Sequence, residues 1–413
     1  MIHDMNKAKR AAMLGALAVG LMCKTALAQD ELWVLNEGRF DWATGEVVEA
    51  PSLGVIDMGS LNYQHLLEFD GAAFATDLEI AGDVAVVVME NRVVKVDLTS
   101  GQILASADLL GAQEASLLSD GTVVVTRGGV DPSTYEPLPL ASYLVWLDGA
   151  DLSFEGELVP AQGPSAPSQE VVVLDDVVYV GVNNGWEWGQ EVGRLGRWSP
   201  QDGTYEEWDL GEDASNSVAL HVRDGQLFTV NNGDWSSTSV TRVSLDEIPV
   251  VETAVLANVS AGCNASAFVG DDLALQIDGE SGLRLVNGTN LTWSQDVLNP
   301  QAPSAYSLAV QPQFGWMCSG VTDFVSFGEV QIHTISGDLI ATVPVGTAPG
   351  TLVWRTNPVS TVGVQPRPSG EAAATATWDA QGRSVSKAVP GMPHLQLERL
   401  ESGKVVKTVR VHQ

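Results

Sequence analysis

A chain of 413 residues with 52 Asp and Glu against 21 Lys and Arg carries a net charge of −31. Such a surface repels phosphate backbones and anionic bilayers, which excludes nucleic acid and charged membranes as partners. Hydrophobic residues make up 45% of the chain, ample material for a buried core.

Residues 1–28 read as an export signal. Lys7, Lys9 and Arg10 form a positive start, Ala11–Met22 is apolar but too short to span a bilayer, and Ala26-Leu27-Ala28 is a small-x-small cleavage site before Gln29. Lipidation at Cys23 is the rival, and Met22 fits poorly where a lipidated cysteine wants a small neighbour. Past the signal, 17 basic and 51 acidic residues leave a net charge of −34. Lys95 is the only lysine between 29 and 372. No other apolar run approaches a membrane span.

From residue 77 onward a pattern of strand, turn, strand, polar loop, strand recurs six times: 77–98, 114–147, 170–198, 218–245, 265–286 and 305–335. The turns at Gly82, Asp120, Asp175, Asp224, Asp271 and Pro312 lie 38 to 55 residues apart. A period in this range filled by short strands predicts a β-propeller. The second strand of each repeat is a continuous apolar run, as in Val84–Met89, Val177–Val182 and Leu227–Val230, which predicts burial on both faces. Two orphan pieces remain. Leu32–Leu35, Leu53–Asp57 and Leu66–Phe69 read as second, third and fourth strands without a first, and Thr351–Trp354 reads as a first strand without successors. Together they make a seventh blade closed by both termini, which removes the open sheet edges. The expected fold is all-β, a seven-bladed propeller of four-stranded blades over 29–357, followed by a linker over 358–372 marked by Pro358, Pro366 and Pro368. A short β-rich tail occupies 373–413, with six basic and three acidic residues.

Two regions resemble known families. The propeller resembles the YncE-like branch of YVTN-type propellers, on the pattern of an apolar strand ending near Asn, a polar loop and a strand ending in Val-Asp. It stands as Leu35-Asn36-Glu37-Gly38 before Val55-Ile56-Asp57, and as Met89-Glu90-Asn91-Arg92 before Val96-Asp97, with Asn183 and Asn231 at the same place later. The tail resembles the C-terminal sorting signal of the type IX secretion system, through Val364–Gly370, Trp378–Val385, Gly391 and the strand pair Leu395–Leu400 and Lys404–Val411. Pro366-Arg367-Pro368 departs from the usual Pro-Asn-Pro of that signal. The resemblances imply passage across the outer membrane by the type IX machinery and a final place at the cell surface or in the medium. Some propellers of the first kind capture corrinoids or other scarce nutrients for an outer-membrane transporter.

Catalytic signatures are scarce. The histidines at 65, 221, 333, 394 and 412 fall in no metal-ligand spacing, and His221 and His333 sit in strand patterns that suit packing. No nucleophile elbow occurs, and no sequence feature calls for a cofactor or metal. Cys263 and Cys318 are placed where one disulfide is geometrically possible. The loops between second and third strands carry Trp42, Arg127, Tyr135, Trp186, Trp188 and Trp235 among polar residues. Large flat side chains on one rim suit recognition of a planar or sugar-like ligand, although loop-to-loop packing explains them equally. Residues opening the first strands, Asp77, Glu114, Gln169, Asn216, Asn264 and Tyr306, would ring a central channel. Asn36, Asn91, Asn183 and Asn231 suit turns, because Asn tolerates left-handed backbone angles.

Three functions follow from these features. The first is a monomeric surface protein that binds a small molecule, a glycan or a membrane transporter on its loop face without catalysis. The second is a lactonase-like hydrolase with a metal held by Asp77, Glu114 and Asn216. The third is an adhesive or structural component of a surface assembly.

Overall fold

The computed structural model describes residues 31–355 except 42, 132, 133, 135, 186, 188, 247, 263 and 264, together with tail strands at 377–378, 384–385, 393–399 and 405–411. Seven antiparallel four-stranded sheets make up the first unit. Blades two to seven each take four consecutive strands from the chain, spanning 75–108, 112–158, 168–209, 217–257, 266–298 and 307–347. Blade one is assembled from both ends: Pro349–Arg355 is its innermost strand, followed outward by Glu31–Asn36, Ser52–Asp57 and Asn62–Glu68. The seven-bladed all-β architecture read from the repeat is therefore the observed one, closed as expected.

The second strands are buried on both faces because each blade is packed between two others. In Glu31–Asn36, Leu32 and Val34 join a core cluster with Cys318, Val330 and Ile332 of blade seven. Trp33 and Leu35 turn the other way, to Leu78, Val87 and Met89 of blade two. Strand alternation thus splits one apolar run between two interfaces. The same division recurs around the ring, with a core cluster at every blade junction.

Blade one also carries an insertion that sequence patterning does not reveal. Arg39–Asp41 and Glu46–Glu49 form a small hairpin between its second and third strands. Its Glu49 accepts a hydrogen bond from Thr347 Oγ1 of blade seven at 2.7 Å. In the second unit, Thr377–Trp378, Ser384–Val385, Pro393–Arg399 and Val405–Val411 form a separate antiparallel sheet at the expected segments.

Substitution at the closing strand tests this packing. Leu35→Ala, at a fully buried position, should lower the unfolding free energy by about 2–5 kcal/mol. Leu104→Ala on an outer strand, half exposed, should change it by about 0.5 kcal/mol or less. Urea denaturation of both variants reads the difference.

Candidate functional site

Among the described residues the first strands of neighbouring blades pack together around the axis at every junction but that of blades five and six. The register of the first strand slips near its start in blades one to five, in the last four between Ala75 and Asp77, Ala112 and Ala115, Ser168 and Val171, and Ser217 and Ala219. In blades three, four and five a backbone N–H just past the bulge is met by a carboxyl of the preceding blade. Asp77 accepts from Ala115 N at 2.9 Å, and Glu114 accepts from Val171 N at 3.2 Å. Glu170 faces the Leu220 N–H of blade five in the same way. The series stops there, because Ala219 stands opposite Val230 in blade five.

Three carboxyls in a row cannot all ionise cheaply away from water. Burial raises Asp77 to about 6. Burial raises Glu170 to about 8, with the charge of Asp77 adding to it. Glu114, between them, is raised well above the ordinary carboxyl range by burial and then by the charges of Glu170 and Asp77. Glu79 beside them is raised to about 7, again by burial first. Glu170 is the member sequence reading missed. Simple alternation from the apolar strand points Gln169 at the channel, and the bulge moves the inward position to the next residue.

Of the anticipated channel residues, Asp77 and Glu114 come together with Glu170, whereas Asn216 and Tyr306 are engaged elsewhere. Asn216 adopts φ 57° and is buried beneath the loop of blade four, its backbone N–H donating to Val192 O. Tyr306 donates its hydroxyl to the Glu37 carboxylate, 2.8 Å from both oxygens, and meets Phe324 edge-on at 4.8 Å. Burial holds Glu37 at about 7 despite that hydrogen bond. Gln169, for its part, accepts from Asn183 Nδ2 at 3.3 Å. Among the described residues no group of three or more His, Cys, Asp or Glu is arranged to hold a metal ion.

The rim residues also divide. Arg127 is a clamp within blade three: its Nε donates to Leu110 O at 3.0 Å, and one terminal nitrogen donates to Ser142 Oγ at 3.2 Å. Ser142 in turn donates to Glu157 at 2.6 Å. Trp235 is half-buried at φ 66°, in a turn closed by its N–H to Asn232 O. Trp42, Tyr135, Trp186 and Trp188 lie outside the described residues, as do Cys263 and Asn264. Cys318 is fully buried against blade one, and burial pushes its thiol far up. Of the asparagines expected in turns, Asn91 stands in the turn between Met89 and Arg92 and Asn183 accepts from Gly185 N at 3.3 Å, while the amide groups of Asn36, Asn183 and Asn231 also tie strands together. Asn36 Nδ2 donates to Tyr63 Oη at 2.9 Å, Asn183 Nδ2 to Ser217 O at 2.7 Å and Asn231 Nδ2 to Thr241 Oγ1 at 2.9 Å. None of the three has a positive φ.

Exposed apolar residues mark a different part of the loop face. Phe324, Val325 and Phe327 in the connection between second and third strands of blade seven are 53, 62 and 74% exposed. Asp323 fixes this connection by accepting from Val325 N at 2.9 Å and Ser326 N at 2.8 Å, which holds its own carboxyl down to about 2. The patch reaches the hairpin of blade one, since Thr347 both pairs with Phe327 and bonds Glu49. That hairpin exposes Val47 and Val48.

No family model and no curated protein matches the chain. Solved structures do. The β-propeller domain of Cps50 (Swd1) from Myceliophteria thermophila is similar with a TM-score of 0.52 and 12% identity, over 70% of this chain and 94% of that one. Dihydro-heme d1 dehydrogenase NirN, solved in complex with DHE, is similar with a TM-score of 0.50 and 12% identity, over 91% of this chain and 70% of that one. At such identity the likeness establishes the propeller fold alone.

The raised carboxyls make stability depend on pH with a defined sign. Unfolded, these groups titrate near 4; folded, they hold their protons to about 6–8. Their contribution is complete below the unfolded values and is lost as pH rises through the folded ones. The unfolding free energy should therefore fall between about pH 4 and 8, by up to about 1.4 kcal/mol per pH unit for each such group. Glu170→Gln, which keeps an acceptor for Leu220 N–H, should flatten the slope. Thermal unfolding across that range checks it, and an unchanged slope would refute the assignment.

Proposed function

We propose that this protein is an exported, non-catalytic binding scaffold that holds a ligand or partner on its loop face. The observation that carries this reading is the Phe324, Val325 and Phe327 patch. It is apolar and exposed, and Asp323 braces the backbone of its turn, which reduces the entropy to be lost on binding. Tyr306 adds a second aromatic edge beside it. Export rests on the signal pattern of residues 1–28 and on the type IX-like tail, which would leave the protein at the cell surface. The likeness to YncE-type propellers points to a corrinoid-like planar nutrient passed to an outer-membrane transporter. A hydrolase is less supported: Asp77 and Glu114 already meet backbone N–H groups, and Asn216 lies under a separate loop.

Fluorescence quenching and calorimetry with cobalamin test this form of the reading. Phe324→Ala combined with Phe327→Ala should weaken binding at least about tenfold, or 1.4 kcal/mol. Because both side chains are exposed, the melting temperature should stay within a few degrees of the parent. Absence of a cobalamin response would remove the nutrient reading, and binding untouched by the double variant would move the site off this patch.

A further inference from the structure

Three blades place a basic residue at the same point of the third strand. Lys95 pairs with Val86 in blade two, Arg197 with Tyr179 in blade four and Arg242 with Phe228 in blade five. In two of them the side chain crosses to the next blade and donates to backbone carbonyls in the turn between its third and fourth strands. Lys95 reaches Gly149 O, and Arg242 reaches Gly288 O at 3.0 Å and also Thr289 O. The turns of blades three and six thus present a glycine to the cation. Blade five presents Leu245 and Asp246 instead. Among the described residues Arg197 reaches no turn carbonyl and makes one ion pair, to Glu206 at 3.7 Å, with its side chain 39% exposed.

Beside Arg197 lies a cavity of about 250 Å³ between blades four and five, lined by Tyr179, Arg197, Glu206, Trp208, Leu245 and Asp246 among others. Trp208 belongs to the same departure from the repeat. It stands two residues after Glu206, where blade five has Ala254 two residues after Glu252. A cavity of about 310 Å³ occupies the equivalent place between blades five and six, lined by Phe228, Arg242, Gly288 and Thr289 among others, but there the guanidinium is engaged by turn carbonyls; only the cavity of blade four combines an underused guanidinium, an exposed carboxylate and an indole.

We propose that this cavity binds an uncharged saccharide, one ring against Trp208 and a vicinal diol between Arg197 and the Glu206 and Asp246 carboxylates. The chemistry selects that class. The turn carbonyls of the sister blades mark what Arg197 lacks, an oxygen acceptor, and the adjoining carboxylates need hydroxyl donors. A sugar hydroxyl is both at once. An anionic ligand would meet two carboxylates and the charge of the whole surface, and a cation would meet Arg197. The indole offers a large apolar face to the C–H side of a ring while its N–H stays available. The volume lies below the roughly 300–1,000 Å³ of pockets for drug-sized ligands, in keeping with one ring bound and its neighbours in solvent. The cavity is on the side of the third-to-fourth turns, away from the loop face, and stands independently of the corrinoid reading.

Saturation-transfer NMR and calorimetry on the full chain, with cellobiose, maltose, mannobiose, xylobiose and galactobiose, test the proposal. At least one should bind with a Kd no weaker than about 10 mM. Trp208→Ala and Arg197→Gln should each weaken it about tenfold or more, and Phe327→Ala should leave it unchanged. Arg197 is on the surface, so Arg197→Gln remains a folded test if Trp208→Ala does not fold. No binding by any of the five sugars, binding that survives Arg197→Gln, or tighter binding of galacturonate than of galactose would overturn it.

Discussion

Everything else in the molecule depends on the pairing of two strands about 320 residues apart in sequence. Pro349–Arg355 runs antiparallel to Glu31–Asn36, and without that ladder blades one and seven would each expose an apolar face and a sheet edge. The pairing joins residues at extreme separation, so its loop-closure entropy is met only when the other blades are in place. Side chains stitch the same seam. Arg355 meets Glu31 at 3.2 Å and also Asp83, Thr347 meets Glu49, and Tyr306 meets Glu37. Two glycines let the chain come this close. A Cβ on Gly350 would lie 2.0 Å from Glu37 Oε1, and one on Gly346 would lie 2.6 Å from Asn36 Cγ.

Inside the ring, the junctions between blades solve one problem in two ways. A bulged first strand leaves backbone groups that its own sheet does not satisfy, and a buried orphan N–H costs about 1–3 kcal/mol. At some junctions neutral groups meet the need: Gln276 Oε1 accepts from Ala305 N at 2.8 Å, and Ser307 Oγ donates to Pro349 O at 2.6 Å. At the junctions of blades two to five, carboxyls do it, and burial raises the proton affinity of the row, with neighbouring charge adding to it at Glu114 and Glu170. Neutral side chains satisfy the fold equally well, so the row of acids confers a pH response that the architecture itself does not require.

The period of the repeat, the doubly buried second strands and the closure were legible because each depends on local alternation and on turn residues, which survive in any one repeat. What escaped depends on small irregularities. One extra residue in the first strand of blade four exchanges Gln169 for Glu170 at the channel. Asn91 forms the turn its type suggests, whereas the amides of Asn183 and Asn231 reach sideways to the next blade and to the third strand, contacts that no local pattern encodes. Arg127 sat in a promising loop and is consumed by carbonyls at 110 and 142, which lie beside it only in the folded blade. The short hairpin at 39–49 is polar and exposed on one side, so it lacks the apolar run that signals a strand.

A propeller supplies its own reference, because each blade shows what its neighbours would look like without a specialised role. Judged this way, the apolar connection of blade seven is a departure that stability does not explain: Phe327 is three-quarters exposed where the pleat offers it nothing to pack on. On a chain of net charge −31, such a patch is protected from self-association by repulsion between copies over about 10 Å at moderate ionic strength. The same repulsion disfavours anionic partners that approach broadly. What remains attractive is an uncharged or cationic body that covers the phenylalanines, drawn by apolar area whose contribution is nearly independent of salt. Charge and patch thus act together, the first setting which partners approach and the second setting which stay.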